Sequence, residues 1–143
     1  MARIKLEKPE KFVFSTEIDV RISDINYGGH LGNDAVLSII HEARMRFLKS
    51  MGFSETDISD NCGLIMGDAA IVFKAEVFYG DRLEVKIEVQ DMGPFGFDIF
   101  YLITKVSSGE ETCRAKTGMI FFDYTTKKVR KAPEAFLSSI SKT

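Results

Sequence analysis

Hydrophobic and polar positions alternate from Phe12 to Ile22. Phe12, Phe14, Thr16, Ile18, Val20 and Ile22 occupy the even positions, and Ser15, Glu17, Asp19 and Arg21 the odd ones. Such a period of two predicts a long half-buried β-strand, because successive strand side chains point to opposite faces. The period then changes. Val36, Ile39, Ile40, Ala43, Phe47, Leu48 and Met51 recur at helical spacing, while Asp34, Ser38, Glu42, Arg46 and Lys49 form a narrow polar stripe. A helix apolar over most of its circumference is expected to be wrapped by other elements. Asn33 is the expected cap at its start, and Gly52 followed by Phe53 the expected stop.

A short second helical turn is expected over 54–60. From Cys62 to Tyr124 the chain reads as successive strands, separated by turn signals at GD (80–81), GPFG (93–96) and SSGEE (107–111). The clearest of these strands alternates Leu83, Val85, Ile87 and Val89 against Arg82, Glu84, Lys86 and Glu88. Pro133 opens a short amphipathic piece ending near Ile140. One strand, one long helix and about four further strands predict an α+β fold: an antiparallel sheet with an apolar helix for it to enclose. Residues 1–143 read as one domain, long enough to bury about 70% of the surface of the unfolded chain. Open sheet edges and an uncovered face predict pairing with a second copy, hence a homo-oligomer.

The formal net charge of −2 supplies no cationic surface for phosphates, so nucleic acid is not an expected partner. The longest apolar stretches, such as AAIVF at 69–73, fall far short of the roughly 20 residues of a membrane span. MARIKLEKPEKFVF at the start has charges but no apolar signal core. Cys62 and Cys113 are too few and too far apart for a disulfide scaffold or metal knuckle, so a reduced, cytoplasmic protein is expected. Twelve Phe and no Trp suggest a core or pocket lined by flat apolar rings.

The candidate chemistry lies in SDINYGGHLGN, residues 23–33. The loop from Asp24 to Gly32 joins the first strand to the apolar helix and ends on the unpaired amides at the helix's positive end, a setting that suits a developing oxyanion. Gly28, Gly29 and Gly32 permit close backbone approach, and Asp24 or His30 can supply acid or base. An equally concrete reading is structural: Asp24 and Asn26 satisfy a turn, the glycines take positive φ, Asn33 caps the helix and His30 is a surface imidazole. His41, beside the polar stripe, reads as a surface or interface residue. Two histidines so separated make no metal site. Cys62 and Cys113 read as buried inert thiols, and Phe95 and Phe97 fit either an acyl tunnel or an ordinary core.

The same stretch resembles the signature of hot-dog-fold acyl-CoA thioesterases related to 4-hydroxybenzoyl-CoA thioesterase, roughly DxDxxGHxxN before a helix ending in EAR. Asp24, Gly29 or its neighbour Gly28, His30, Asn33 and the run Glu42, Ala43, Arg44 match in order. Weaker similarity continues through FKAEVFYGDRLEV (73–85) and FFDYTTKKVRKAP (121–133), so the resemblance covers about nine tenths of the chain.

It implies a hot-dog fold, a sheet wrapped around one central helix, whose dimers or tetramers hydrolyse an acyl-CoA or acyl-carrier thioester. Water is the implied nucleophile, with neither metal nor separate cofactor, coenzyme A being part of the substrate. The thioester carbonyl would point at backbone N–H groups near Leu31 and Gly32, with the site at the dimer interface. Tyr27, Gly28, Gly29, Phe95 and Phe97 would contact substrate.

The chain departs from the signature at one place: the second acid of DxD is Asn26, and an amide is no general base. Asp24 and His30 remain as proton-handling groups, with Asn26 and Asn33 beside them; His30 is favoured because imidazole titrates near neutrality. Two alternatives stay open. Hot-dog enoyl-CoA hydratases carry a motif similar to DxNPxH, of which Asp24-Ile25-Asn26 reproduces DxN. A non-catalytic acyl-thioester or lipid-binding protein would keep the pocket without the acid.

Overall fold

The computed structural model describes residues 1–143. Its strands are β1 (Phe14–Asp19), β2 (Cys62–Phe73), β3 (Arg82–Gln90), β4 (Gly96–Lys105), β5 (Glu111–Asp123) and the two-residue β6 (Lys128–Val129). The helices are α1 (Asn33–Ser50) and α2 (Glu134–Ser141), with a single 3-10 turn over Ile22–Asp24. Every strand pairing is antiparallel, and the order across the sheet is β1-β3-β4-β5-β2, with β6 on β5. No helix is long and apolar enough to cross a membrane.

Period two sets the inner face of the sheet. Leu83, Val85 and Ile87 of β3, Tyr101 and Ile103 of β4, and Ala115, Met119 and Phe121 of β5 are buried beneath α1 and α2. The apolar stripe of α1 turns Val36, Ile39, Ile40, Ala43, Phe47 and Leu48 to that face, and Phe47 meets Phe14 of β1 at 5.5 Å. Gly52, at φ +85°, ends the helix: its N–H donates to Lys49 and that of Phe53 to Leu48, the paired bonds of a left-handed helix stop. At the far end Phe136 of α2 closes on Phe53, Phe97 and Phe121, with ring centres 5.5–5.8 Å apart.

Three expectations change. β1 runs over Phe14–Asp19, shorter than Phe12–Ile22, because Val20 donates to Asp81 outside the ladder and the backbone then turns. The 54–60 segment is no helix: Ser54 and Asp57 form an isolated bridge, and Ser59, Asp60 and Asn61 take positive φ, which no right-handed helix accommodates. Asn33 is the first residue of α1, not its cap; Gly32 occupies the cap position with no side-chain bond.

The outer face of the sheet is also covered. Phe100 and Leu102 on β4 are 2% and 5% exposed yet lie outside the inner core cluster. The segment ahead of β1 folds back over them: Arg114 donates to the Leu6 carbonyl at 2.8 Å, and the Lys86 ammonium sits 5.7 Å from the centre of the Phe12 ring.

Candidate active site

The loop ahead of α1 is shaped by its own backbone. Asn26 donates its N–H to the His30 carbonyl at 2.9 Å and accepts the Gly29 N–H at 3.1 Å, while its side-chain Oδ1 accepts the Gly28 N–H at 2.8 Å. Gly29 stands at φ +85°, a conformation costly for a side chain with Cβ. The Asn26 carboxamide oxygen is thus engaged in a turn rather than offered to a ligand.

Asp24 is 6% exposed; it accepts the Arg21 N–H at 2.9 Å and faces the Arg21 guanidinium at 3.6 Å. It borders a concavity shared with Ile18, Ser38, Glu42 and Arg46. His30 borders a different one. Asp24 and His30, the two candidate proton-handling groups of the loop, thus border separate concavities of the chain.

The imidazole Nδ1 of His30 lies 3.2 Å from the Leu31 carbonyl. A carbonyl only accepts, so this contact puts a proton on Nδ1, and the neutral ring keeps its lone pair at Nε2.

The amides expected to receive an oxyanion are already spent. Leu31 donates to the Val77 carbonyl at 2.7 Å and Gly32 to the Asp24 carbonyl at 3.0 Å. No carbonyl or side chain in the chain accepts from the next two amides, Asn33 and Asp34, while Ala35 reaches back to Gly32 at 3.1 Å. The anion-receptive end of α1 accordingly sits one to two residues later than expected.

His30, Leu31, Asn33 and Val36 form one wall of a cavity of about 260 Å3. Residues 73–77, joined to that segment by the bond from the Leu31 N–H to the Val77 carbonyl, also line it, and Ile103, Thr112 and Cys113 of the inner sheet complete it. The cavity is smaller than sites that enclose a drug-sized ligand, and suits one apolar group of a larger molecule. Burial pushes the Cys113 thiol up to about 12, with the Glu111 charge adding to the effect, so it is a neutral thiol.

The remaining expected contacts do not converge here within one chain. Tyr27, Gly28 and Gly29 are exposed. Phe95 is half exposed beside Phe97 in another concavity, and Phe97 itself is buried against Phe121 and Phe136, a core residue. Phe97 and Ile103 stand six residues apart on β4, about 20 Å at the usual strand rise. Glu76, Val77, Thr112 and Cys113 were not among the expected site residues; only the similarity of FKAEVFYGD to a family strand touched that wall.

Arg44 of the EAR run is in the core. It donates from Nε to Glu55 at 2.5 Å and from Nη1 to the Tyr101 hydroxyl at 3.1 Å, and that hydroxyl lies 2.9 Å from Thr117 Oγ1. Burial opposes the Arg44 charge, but Tyr101 and Glu55 outweigh it and raise its pKa; burial likewise raises that of Tyr101. The EAR run therefore carries a lock between α1 and the sheet, not a catalytic group.

Residues 20–140 match the profile of the thioesterase-like superfamily. A putative esterase of Aquifex aeolicus is 28% identical over 85 residues, which cover 55% of this chain and 66% of that protein. The crystal structure of a 1,4-dihydroxy-2-naphthoyl-CoA thioesterase from Synechocystis superposes with a TM-score of 0.82 at 25% identity, over 90% of this chain and 95% of that one. A Staphylococcus aureus hypothetical protein solved in complex with CoA has the same fold, with a TM-score of 0.82 at 19% identity over 96% and 87% of the two chains. Fold and profile together support the hot-dog architecture and acyl-CoA thioester hydrolysis, and this chain belongs to the thioesterase-like superfamily.

Proposed function

We propose that the chain hydrolyses an acyl-CoA thioester with water as the nucleophile, at the cavity that His30 and the amino end of α1 share. The observation that carries this reading is the pair of unpartnered amides at Asn33 and Asp34, next to an imidazole at the rim of an apolar cavity. The acyl group occupies the cavity and the carbonyl oxygen turns to those amides, which stabilise the negative charge that grows as water adds. Nε2 of His30 accepts a hydrogen bond from that water. Coenzyme A stays outside the cavity, whose size leaves no room for it; the like-folded staphylococcal protein holds CoA.

Water is preferred over an enzyme nucleophile because the one thiol of the cavity, Cys113, stays protonated. The twelve-residue β2 pairs only with β5, so its other edge is unpaired, and a second copy joining there would form the homodimer.

Thiol release from a panel of short, long and aromatic acyl-CoAs tests the reading. Release by the wild type well above that by His30→Ala on at least one substrate is expected; equal rates across the panel would overturn it. Loss of the enoyl absorbance of crotonyl-CoA without thiol release would point to hydration instead. Saturable thermal stabilisation by acyl-CoA with neither signal would mark a binding protein.

A further inference from the structure

The site as described holds one imidazole and no carboxylate from the motif loop, since Asn26 is an amide and Asp24 borders another cleft. We propose that Glu76, which borders the same cavity on the segment after β2, is the general base of the thioester hydrolysis described above. This rests on that reading and names the group it lacks.

Three observations support this role. It borders the same cavity as His30 and Asn33. Its wall is tied to the histidine loop by the bond from the Leu31 N–H to the Val77 carbonyl, 2.7 Å, so residues 30 and 76 each adjoin one end of the same hydrogen bond. Its carboxylate is exposed in the single chain and free to turn to a ligand: the neighbouring cation, Lys74, is directed to Glu111 at 3.6 Å, and no ion pair engages Glu76. By contrast Asp24 is held by Arg21 and Glu55 by Arg44.

A water in the cavity donates one hydrogen to Nε2 of His30 and the other to the Glu76 carboxylate, leaving its lone pair for the carbonyl carbon. As the O–C bond forms, the proton passes to Glu76 and the carbonyl electrons move onto the oxygen facing the Asn33 and Asp34 amides. Collapse of that intermediate breaks the C–S bond, and Glu76 returns the proton to the departing thiolate. The free acid then loses its remaining proton to solvent. Water and thioester become acid and thiol, with Glu76 restored.

Glu76→Gln keeps the shape and removes the base, and Glu76→Asp keeps the base with shorter reach. With the best acyl-CoA substrate, Glu76→Gln is expected to lower kcat at least about 100-fold, the usual contribution of a positioned base. Glu76→Asp should recover part of that loss. The affinity of Glu76→Gln for a non-hydrolysable acyl-CoA thioether should stay within about threefold of the wild type, well under 1 kcal/mol.

A Glu76→Gln enzyme within about threefold of wild-type kcat, alongside an inactive His30→Ala, would overturn the role of Glu76 while leaving the thioesterase reading intact. A parallel loss of analogue affinity and kcat would make Glu76 a binding residue and also overturn it. A wild type inactive on the whole panel would take both readings down.

Discussion

The Leu31 amide donates to the Val77 carbonyl at 2.7 Å, a single bond between residues 46 positions apart. It withdraws Leu31 from any role in holding an oxyanion. It also sets the histidine loop against the segment after β2, so that the cavity exists between two stretches that share no sequence pattern.

The separation of Asp24 from this cavity predicts different outcomes for the two titratable residues of the motif. His30→Ala should lower kcat by about 100-fold or more. Asp24→Asn, which can still accept the Arg21 N–H, should leave kcat within about threefold, a loss under 1 kcal/mol. Steady-state thiol release checks both; an inactive but folded Asp24→Asn would return the acid to the motif.

Cys113 borders the cavity as a neutral thiol. Cys113→Ala should leave kcat within about threefold and yield no acyl-enzyme difference by mass spectrometry, since no covalent step uses it. A trapped acyl adduct on Cys113 in the wild type would contradict hydrolysis by water.

The buried Tyr101 hydroxyl joins Arg44 to Thr117. Tyr101→Phe leaves a guanidinium donor and a buried hydroxyl without that partner, and should cost about 1–3 kcal/mol in urea unfolding. Because the network lies behind α1, the loss should appear in stability rather than in KM.

Glu111 accepts from Arg114, which holds its carboxyl below the ordinary glutamate range; Lys74 assists and burial opposes. A folded-state pKa below the unfolded value means that the contribution to stability is present above about pH 4.3, the ordinary glutamate value, and is lost as the pH falls through the lowered folded value. Glu111→Gln should therefore lower Tm at neutral pH and converge with the wild type in acid. An unchanged gap in Tm between neutral and acid solution would refute the linkage. Arg114 also holds Leu6, so the same acid window should loosen the segment covering Phe100 and Leu102, visible as faster amide exchange there.

The secondary structure of this chain was largely legible in its pattern. Alternation across Leu83, Val85 and Ile87 needs only the geometry of a pleated strand, and the stripe from Val36 to Leu48 only that of a helix. Gly52 announced its stop because a left-handed residue after a helix is nearly a glycine property. Local preference does not fix the cap: Asn33 is a good cap by type, but Gly32 takes that position, just after the Leu31 and Gly32 amides are tied to Val77 and Asp24.

The motif loop is legible in the sequence as a candidate site, but the surroundings of its side chains are not. Asp24 and His30 sit six residues apart, and no rule of spacing shows that the chain turns them to different cavities. Phe97 fits either a tunnel or a core by type, and it is α2 that brings Phe136 onto it and makes it core. Local sequence thus determined the helix, the strands and the glycine turn, because backbone geometry and side-chain period act between near neighbours. Which amides remain free at the start of α1, and which carboxylate shares the cavity with His30, were settled by folding. A hydrogen bond is spent or spared according to the carbonyl that arrives from elsewhere in the chain, and here Val77 arrives from across the fold.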